Sequence, residues 1–284
     1  MIKTLQIEDD IRILCGFNLN KNFKPKAEVV MNELKVSPKD RVAFVSGASR
    51  GIGRAITIEL LEKGAKKVYA GVRNLKALKD LKEEYGDRLV PILVDLRDDK
   101  SIIKATRAAR DTEILVNNAG VYEPGGFCSD ETLDSLATNF EVNVWGLVKM
   151  TISMIDYLKL RESAAIVNIS SVLGLASMPV AGTYCASKAA VHSITQGLRG
   201  ELGSSKILVV GVYPGPIDTD MTRELDMEKD TPQNVARNVV KGLEEGKEYI
   251  FPDMMSKQVG ELYLTEPLTV EKQFANFISE EEEV

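Results

Sequence analysis

Histidine, cysteine and tryptophan are the scarce residues of this chain of 284 residues. It has one histidine, His192, and three cysteines, Cys15, Cys128 and Cys185, with a single tryptophan. A zinc site built on several histidines is therefore excluded, and a Ser-His-Asp hydrolase would depend on one imidazole ring. The scattered cysteines form neither a disulfide framework nor a pair with metal-ligand spacing. No metal site is predicted.

An excess of basic residues and long apolar runs are also missing. Lysine and arginine total 36 against 42 aspartates and glutamates, which gives a formal charge of −6. No global positive field therefore favours nucleic acid or an anionic membrane. Glu8, Asp9 and Asp10 interrupt the apolar stretch that a signal peptide needs, and no run approaches a membrane span. We expect a cytoplasmic protein with neither nucleic acid nor membrane as a partner.

Short apolar runs alternate with helical periods between residues 41 and 252. The expected strands cover residues 41–46, 66–72, 88–95, 113–120, 164–170, 206–215 and 247–252. Runs without polar alternation are typical of strands that are buried on both faces of a parallel sheet. The segments between them have helical periods, including a long helix over residues 129–159 and another over 181–202. The pattern predicts a Rossmann-type, doubly wound α/β fold with about seven parallel strands flanked by helices.

The two ends of the chain lack this regular pattern. Residues 1–40 show no clear period and are predicted to form an N-terminal extension of unknown role. Residues 41–284 are predicted to form one domain, with a C-terminal tail from about residue 253. Within that tail, Leu268, Phe274, Phe277 and Ile278 indicate a short amphipathic helix.

A glycine-rich turn, SGASRGIG over residues 46–53, follows the first expected strand. Glycine lets the turn tighten and lets backbone N–H groups and a helix N-terminus approach a diphosphate closely. Its place after the first strand of an alternating sheet favours a dinucleotide site over a simple turn. No Lys-Ser/Thr pair follows the last glycine, so the turn is not a Walker A loop.

The turn and the motifs that follow it resemble the short-chain dehydrogenase/reductase family over about residues 40–252. The further motifs are Asp95, NNAG at residues 117–120, Asn143, Ser171, Tyr184-x-x-x-Lys188, and Pro214-Gly215 with Thr219. The resemblance implies a catalytic set of Asn143, Ser171, Tyr184 and Lys188. It also implies that the cofactor is bound by Gly47, Ser49, Arg50, Gly51, Ile52, Gly53, Arg73, Asp95, Leu96, Asn117, Ala119, Gly120, Tyr184, Lys188, Pro214, Gly215, Ile217 and Thr219.

The chemistry of the catalytic set follows from its side chains. Tyr184 and Lys188 lie one turn apart on one helix face, where an ammonium is expected to lower the pKa of the phenol from about 10. The phenol can then donate a proton to a carbonyl oxygen or accept one from an alcohol. The resemblance implies that Ser171 holds the substrate oxygen and that Asn143 organises water leading from Lys188. Ser170 is expected to bond nearby backbone instead.

Two arginines predict the phosphorylated form of the cofactor. An NAD site has an acidic residue about twenty positions after the glycine turn, and its charge repels a 2′-phosphate. Arg73 stands there instead, with no carboxylate between Lys66 and Lys79, and Arg50 lies within the turn itself. Both guanidiniums are expected to converge on one phosphate. The predicted cofactor is therefore NADPH/NADP+.

The leading hypothesis is an NADP(H)-dependent oxidoreductase that interconverts a carbonyl compound and an alcohol, with Tyr184 as general acid/base. The alternative is a catalytically silent NADP-binding sensor or scaffold, which should have lost one of the four catalytic residues, and all four are present. A nucleotide-sugar epimerase would usually need a larger substrate domain than residues 252–284 supply. The short segment 220–230 predicts a small flap, an open pocket and a small neutral aldehyde, ketone or alcohol as substrate.

Assembly and several aromatic residues are the remaining predictions. Related enzymes often pair through the long helix and the helix that bears the catalytic tyrosine, so we expect a homo-oligomer. A dimer is favoured because the tail is expected to cover the edge of the last strand. Phe127, Trp145 and Tyr122 fit a substrate pocket and a core equally well. His192 is expected to be structural or exposed.

Overall fold

The computed structural model describes residues 34–277 of the chain. Residues 1–33 of the predicted N-terminal extension lie outside this range, as does Ile278 of the predicted C-terminal helix. Val36, which also falls in that predicted extension, is buried in the main core. Its N–H donates to the carbonyl of Leu243 at 2.9 Å. The packed domain therefore includes residues that precede position 41.

Seven parallel strands form one sheet in the order β3-β2-β1-β4-β5-β6-β7. The strands are β1 (Val42–Ser46), β2 (Lys67–Val72), β3 (Leu89–Leu93), β4 (Ile114–Asn117), β5 (Ala164–Ile169), β6 (Ile207–Val212) and β7 (Tyr249–Ile250). Every residue of β1, β5 and β6 is buried, which explains their uninterrupted apolar runs. The order reverses between β1 and β4, so a crevice is expected at the carboxyl ends of these strands. The predicted Rossmann-type, doubly wound sheet is confirmed.

Helices cover both faces of this sheet. They are α1 (Gly51–Glu62), α2 (Lys79–Tyr85), α3 (Asp99–Ala108), α4 (Thr132–Phe140), α5 (Leu147–Lys159), α6 (Gly182–Leu202), α7 (Pro232–Glu245), α8 (Met254–Thr265) and α9 (Pro267–Ala275). Ala43 and Val45 of β1 face one buried cluster with α1 and α7, whereas Val42 and Phe44 face a second cluster with α3 and α5. This alternation is the period of two that a strand imposes, and it places one core on each side of the sheet.

The predicted long helix over residues 129–159 is divided in the structure. It begins at Thr132 and contains a π-turn over Glu141–Gly146, which separates α4 from α5. Asn143 lies in this turn. Asparagine in a helix interior competes for backbone hydrogen bonds, and π-turns are often found at functional sites. The apolar stripe continues through the turn, so the hydrophobic pattern alone did not indicate the interruption.

The segment predicted as a tail from about residue 253 forms the helices α8 and α9. A capping box starts α8: the Asp253 carboxylate accepts from the N–H of Ser256 at 2.8 Å, and Ser256 Oγ accepts from the N–H of Asp253 at 3.0 Å. Val270 and Phe274 of α9 are buried against Val172, just after β5. The segment is therefore part of the folded domain.

Three features can be stated for residues 34–277. Within this range no helix is both long and apolar enough to cross a membrane. The same residues include no group of three or more His, Cys, Asp or Glu side chains arranged to hold a metal ion. Cys128, which is exposed, and Cys185, which is buried, are both free thiols.

Candidate functional site

A cavity of about 820 Å³ lies at the carboxyl ends of the central strands. Its walls come from the glycine turn, from the loops after β2, β3, β4, β5 and β6, and from α8 and α9. Most of the residues predicted to bind the cofactor or to act in catalysis line it: Gly47, Ser49, Arg50, Gly51, Ile52, Gly53, Arg73, Asp95, Leu96, Ala119, Gly120, Ser171, Tyr184, Lys188, Pro214, Gly215, Ile217 and Thr219. The fold therefore brings motifs that are far apart in sequence to one place. Asn117 and Asn143 are the predicted residues that do not line the cavity.

The glycine turn forms a cradle that has no room for side chains. Gly47 and Gly51 have φ angles of 69° and 53°, in the left-handed region. A Cβ at Gly53 would lie 2.3 Å from Asn118 Nδ2, and one at Gly47 would lie 2.8 Å from the Cα of Ala119. Among the described residues, no side chain caps the N-terminus of α1, so its N–H groups remain available to an anion. The residues present thus fit the diphosphate of a dinucleotide.

The two asparagines of the NNAG motif have different surroundings. Asn117 is buried, and its Nδ2 donates to Thr151 Oγ1 at 3.0 Å and to Asn168 Oδ1 at 2.9 Å. Asn118 lines the cavity, and its Nδ2 donates to the carbonyl of Ser46 at 2.9 Å. Successive side chains at the end of a strand point in opposite directions, and this separates the pair. The structure therefore places Asn117 in the polar interior, away from the predicted cofactor contact, and Asn118 joins the NNAG turn to the glycine turn.

Tyr184 and Lys188 lie together on α6, as their spacing predicts. The ammonium of Lys188 is 5.6 Å from the centroid of the Tyr184 ring and donates to the carbonyl of Ile169 at 3.0 Å. The Tyr184 ring meets the Tyr122 ring edge-on, with 5.2 Å between centroids. Within residues 34–277 the Tyr184 hydroxyl has no hydrogen-bond partner, and the residue lines the cavity. The hydroxyl is therefore free to bond a ligand there.

Burial controls the pKa values of this pair. Burial, and to a smaller extent the neighbouring Cys185 and Tyr122, raises the pKa of Tyr184 above its ordinary value of 10.0. Burial lowers the pKa of Lys188 from 10.5 to about 8. The sequence-based expectation that Lys188 lowers the pKa of Tyr184 is not met in this structure, because burial dominates and every cause of the shift raises the pKa. A phenol that keeps its proton is suited to donate it to a carbonyl oxygen.

Replacing Lys188 with methionine should increase stability at pH 7. Holding a charged lysine with a pKa moved from 10.5 to about 8 costs on the order of 3 kcal/mol. The hydrogen bond to Ile169 that the variant loses is worth about 1 kcal/mol, so a net gain of about 2 kcal/mol in unfolding free energy is expected. Between pH 8 and 10.5 the unfolded native chain holds more protons than the folded one, so native stability rises there and the advantage of the variant disappears.

Urea unfolding of both proteins at pH 7 and at pH 10 measures this difference. A variant that is less stable than the native protein at pH 7, or a difference that does not change with pH, would contradict the cost assigned to the buried ammonium. The comparison should be repeated with Tyr184→Phe in both proteins, because the unfolded tyrosine, with an ordinary pKa of 10.0, begins to lose its proton near pH 10.

The two serines after β5 have separate partners. Ser171 Oγ accepts from the N–H of Leu173 at 3.1 Å and donates to the carbonyl of Pro214 at 3.3 Å. Ser170 Oγ donates to the carbonyl of Lys188 at 3.0 Å, in agreement with its expected backbone role. Both serines line the cavity. Ser171 therefore supports the loop after β5 while its hydroxyl stays at the edge of the site.

Asn143 supports the site from behind the cavity. Its Oδ1 accepts from the N–H of Val121 at 2.8 Å, and its Nδ2 donates to the Val121 carbonyl at 3.0 Å and to Ser187 Oγ at 3.0 Å. A Cβ at Gly120 would lie 3.2 Å from Asn143 Oδ1 and 3.6 Å from Lys188 Nζ. The π-turn thus fastens the loop after β4 to α6. The water-organising role of Asn143 stays a prediction.

Arginines are among the residues that line the cavity. Arg50 and Arg73 line it, as predicted, and Arg50 Nη1 lies 2.9 Å from the Asp220 carboxylate. Arg97, which the sequence analysis missed, also lines it and binds the Asp95 carboxylate at 3.1 Å. Hydrogen bonds from Arg97, and to a smaller extent the charge of Arg73, lower the pKa of Asp95. Three arginines therefore line the cavity, two of them paired with carboxylates, and Arg73 forms no ion pair within residues 34–277.

The structure also locates the three aromatic residues and the histidine for which the sequence left two interpretations open. Tyr122 lines the cavity. Phe127 and Trp145 are 57% and 53% exposed and belong to neither the cavity nor the core, so both interpretations fail for them. His192 is buried, and its Nδ1 lies 2.7 Å from Tyr213 Oη, which makes it a structural residue.

Apolar side chains that the sequence analysis missed form another part of the cavity walls. They come from the segment before α6, from the loop after Thr219 and from the C-terminal helices: Leu173, Met178, Val180, Met221, Leu225, Met227, Met255, Phe274 and Phe277. The sequence indicated only a short flap here. The reason is that the wall includes residues from α8 and α9, which had been assigned to a tail.

Known proteins share both sequence and fold with this chain. The profile of the short chain dehydrogenase family matches residues 41–230. An uncharacterised oxidoreductase of Staphylococcus epidermidis is 32% identical over 212 residues, which cover 72% of this chain and 91% of that protein. A similar oxidoreductase of Staphylococcus aureus is 32% identical over 216 residues, with coverage of 73% and 93%.

Solved structures resemble the fold closely. A short chain dehydrogenase from Burkholderia cenocepacia, in complex with NADP, has a TM-score of 0.79 and 31% identity, and the match covers 84% of this chain and 99% of that one. A short chain dehydrogenase/reductase from Burkholderia phymatum, in complex with NAD, has a TM-score of 0.74 and 23% identity over 86% and 98% of the two chains. At that identity the second likeness concerns the fold alone.

Proposed function

Because this chain belongs to the short chain dehydrogenase family, we propose that it is an NADP(H)-dependent oxidoreductase that interconverts a carbonyl compound and a primary or secondary alcohol. The observation that carries this proposal is the Tyr184 hydroxyl, which is free of internal partners and lies in the same cavity as the glycine cradle. When bound, the nicotinamide of the cofactor gives or takes the hydride. Side chains of this chain are proposed to transfer the proton and to hold the substrate oxygen.

Tyr184 is the proposed general acid and base. In reduction its phenol gives a proton to the carbonyl oxygen, and in oxidation it takes one from the alcohol. Ser171 is proposed to hold the same oxygen, which requires only that its hydroxyl hydrogen turn from Pro214 toward the cavity. Lys188 and Asn143 are proposed to return protons to Tyr184, and the lowered lysine pKa suits that exchange.

The proposed preference for NADPH rests on Arg50 and Arg73. Both line the cavity beside the glycine cradle, and no carboxylate occupies the place that would repel a 2′-phosphate. The Burkholderia cenocepacia enzyme, 31% identical, was solved with NADP and supports the same choice. The silent sensor or scaffold remains the alternative, but all four residues of the proposed catalytic set are present, and three of them, Ser171, Tyr184 and Lys188, line one cavity.

A screen of uncharged carbonyl compounds with NADPH, and of alcohols with NADP+, tests the proposal. The expected result is substrate-dependent oxidation or reduction of the nucleotide. Tight nucleotide binding without turnover on any member of either panel would favour the sensor instead.

The free cysteines and the acidic composition are compatible with the cytoplasmic location predicted from sequence, which stays a prediction.

We further propose a homodimer that forms through the face of α4, the π-turn and α5. Trp145 in the π-turn, Ile152 on α5 and Leu160 just after α5 are 53%, 68% and 80% exposed, which is unusual for large apolar side chains in one region. Light scattering should give the mass of a dimer, and Ile152→Lys should shift it toward the monomer. A tetramer that persists at high salt would contradict the prediction that the C-terminal segment prevents a second interface.

A further inference from the structure

The loop of residues 219–229, which we call the flap, presents apolar side chains to the cavity. Met221, Leu225 and Met227 line the cavity although they are 44%, 49% and 42% exposed. The charged residues between them, at positions 223, 224 and 226, do not line it. Half-exposed apolar side chains beside a cavity are costly in water unless a ligand covers them. The flap is therefore built to meet an apolar group.

Phe274 of the C-terminal helix α9 and Phe277, just after that helix, form a second apolar surface of the cavity, which we call the wall. Phe274 is buried against Val172, and Phe277 is 46% exposed, yet both line the cavity. The Val180 N–H donates to the carbonyl of Phe277 at 3.4 Å, which ties the wall to the segment just before Tyr184. The wall is therefore joined to the segment that leads into the helix of Tyr184.

Most charged side chains that line the cavity already have a partner within the chain. Among the described residues, the charged ones that line the cavity are Arg50, Arg73, Asp95, Arg97, Glu141, Lys188 and Asp220. Arg50 pairs with Asp220 at the base of the flap, and Arg97 pairs with Asp95. The Lys188 ammonium is taken by the Ile169 carbonyl. Arg73 is the remaining cation among the described residues that line the cavity, and it is proposed to bind the cofactor phosphate, so no unpaired cation is left there for a substrate carboxylate or phosphate.

We propose that the substrate is an uncharged carbonyl compound or alcohol with an extended hydrocarbon chain or ring, which is held between the flap and the wall. The inference rests on the proposed function, since Tyr184 fixes where the oxygen lies. Methionine side chains are unbranched and adapt to different apolar shapes, so chain length should matter more than exact shape. A carboxylate at the far end of the chain would be buried without a partner.

A matched series of ketones tests this inference. The rate constant kcat/KM should rise about fourfold for each added methylene from butan-2-one through hexan-2-one to octan-2-one, which is the worth of burying one methylene. The same carbon chain with a terminal carboxylate, 7-oxooctanoate, should be at least about a hundredfold poorer than octan-2-one. Calorimetric titration of the two eight-carbon ketones into the protein with NADP+ should give the same order of affinity without turnover.

A charged variant of the flap gives a second test. Leu225→Lys should improve kcat/KM for 7-oxooctanoate and lower it for octan-2-one, each by about tenfold. Leu264→Lys is the matched control, because Leu264 is 76% exposed on α8 and does not line the cavity. Both sites are exposed, so the melting temperatures should stay near the native value.

The outcomes separate the inference from the proposed function. Turnover that is equal for the two eight-carbon ketones, or faster for the charged one, would overturn the apolar substrate class and leave the oxidoreductase intact. A Leu225→Lys variant that behaves like Leu264→Lys would overturn the role of the flap. Lack of turnover and of binding with every ketone and alcohol would overturn the proposed function itself, and with it the inference.

Discussion

Replacing Tyr184 with phenylalanine is expected to lower turnover by at least about a hundredfold, the usual worth of general acid–base help. The variant keeps the buried ring and its edge contact with Tyr122, and it loses no hydrogen bond to the described residues. Stability and the affinity for the nucleotide should therefore remain close to native values. Steady-state kinetics with the best carbonyl substrate, together with calorimetric titration of NADPH, measures both quantities.

Tyr157→Phe is the matched control for this substitution. Tyr157 lies on α5 and does not line the cavity, so the same loss of a hydroxyl there should leave kcat and KM unchanged. Near-normal turnover by Tyr184→Phe would show that another group supplies the proton. Loss of nucleotide affinity in the same variant would show that the tyrosine acts mainly in binding.

The native protein is expected to bind NADPH about a hundredfold more tightly than NADH, a difference on the order of 3 kcal/mol. Charge-assisted contacts to a phosphate are worth about 1.5–3 kcal/mol each, and Arg50 and Arg73 can supply two. The pair of Arg50 with Asp220 does not prevent this, because both side chains are exposed and such pairs contribute at most about 1 kcal/mol. The double variant Arg50→Ala/Arg73→Ala should lose most of its NADPH affinity and keep its NADH affinity.

Calorimetric titration of both nucleotides at low and high salt measures this preference. The NADPH advantage should shrink as salt increases, since the phosphate contacts are exposed and screened. Arg107→Ala removes an exposed arginine on α3 outside the cavity and serves as control, with both affinities unchanged. Equal affinity of the native protein for the two nucleotides would refute the assignment of the arginines.

The sheet could be predicted from sequence because its strands are buried on both faces. Runs such as VAFVS in β1 and ILVVGV in β6 have no polar position, and few other structures require that pattern. The catalytic pair Tyr184 and Lys188 could be placed on one helix face by spacing alone. Sequence patterns were sufficient to predict those parts of the structure in which contacts repeat with the period of a strand or a helix.

Other parts of the site depend on tertiary contacts, which the spacing of residues along the sequence does not reveal. Asn117 and Asn118 are adjacent, and only the end of β4 decides which of them faces the cavity. The raised pKa of Tyr184 results mainly from burial in the folded chain. An expectation based on the charge of Lys188 alone therefore gave a pKa shift in the wrong direction. Arg97 was missed because it follows Asp95 by two residues in a loop outside the familiar motif.

The C-terminal segment is the clearest example of structure that depends on tertiary contacts. The sequence from Asp253 to Ser256 contains a capping box, a signal that could have placed the start of α8. The position of α9 against Val172 depends on apolar side chains that come together only in the folded chain. The prediction of an open pocket missed this wall for that reason, and with it the apolar side chains that the C-terminal segment contributes to the cavity.

Transfer of deuterium from labelled NADPH is the measurement that tests the central claim most directly. The protein is incubated with a panel of uncharged ketones and with NADPH that carries deuterium at C4 of the nicotinamide, in each of its two configurations. With one of the two configurations, mass spectrometry should find an alcohol that carries one deuterium on its carbinol carbon, and at least about a hundredfold less of it with Tyr184→Phe. An absence of labelled alcohol from the native protein, or equal amounts from the native protein and Tyr184→Phe, would contradict the account.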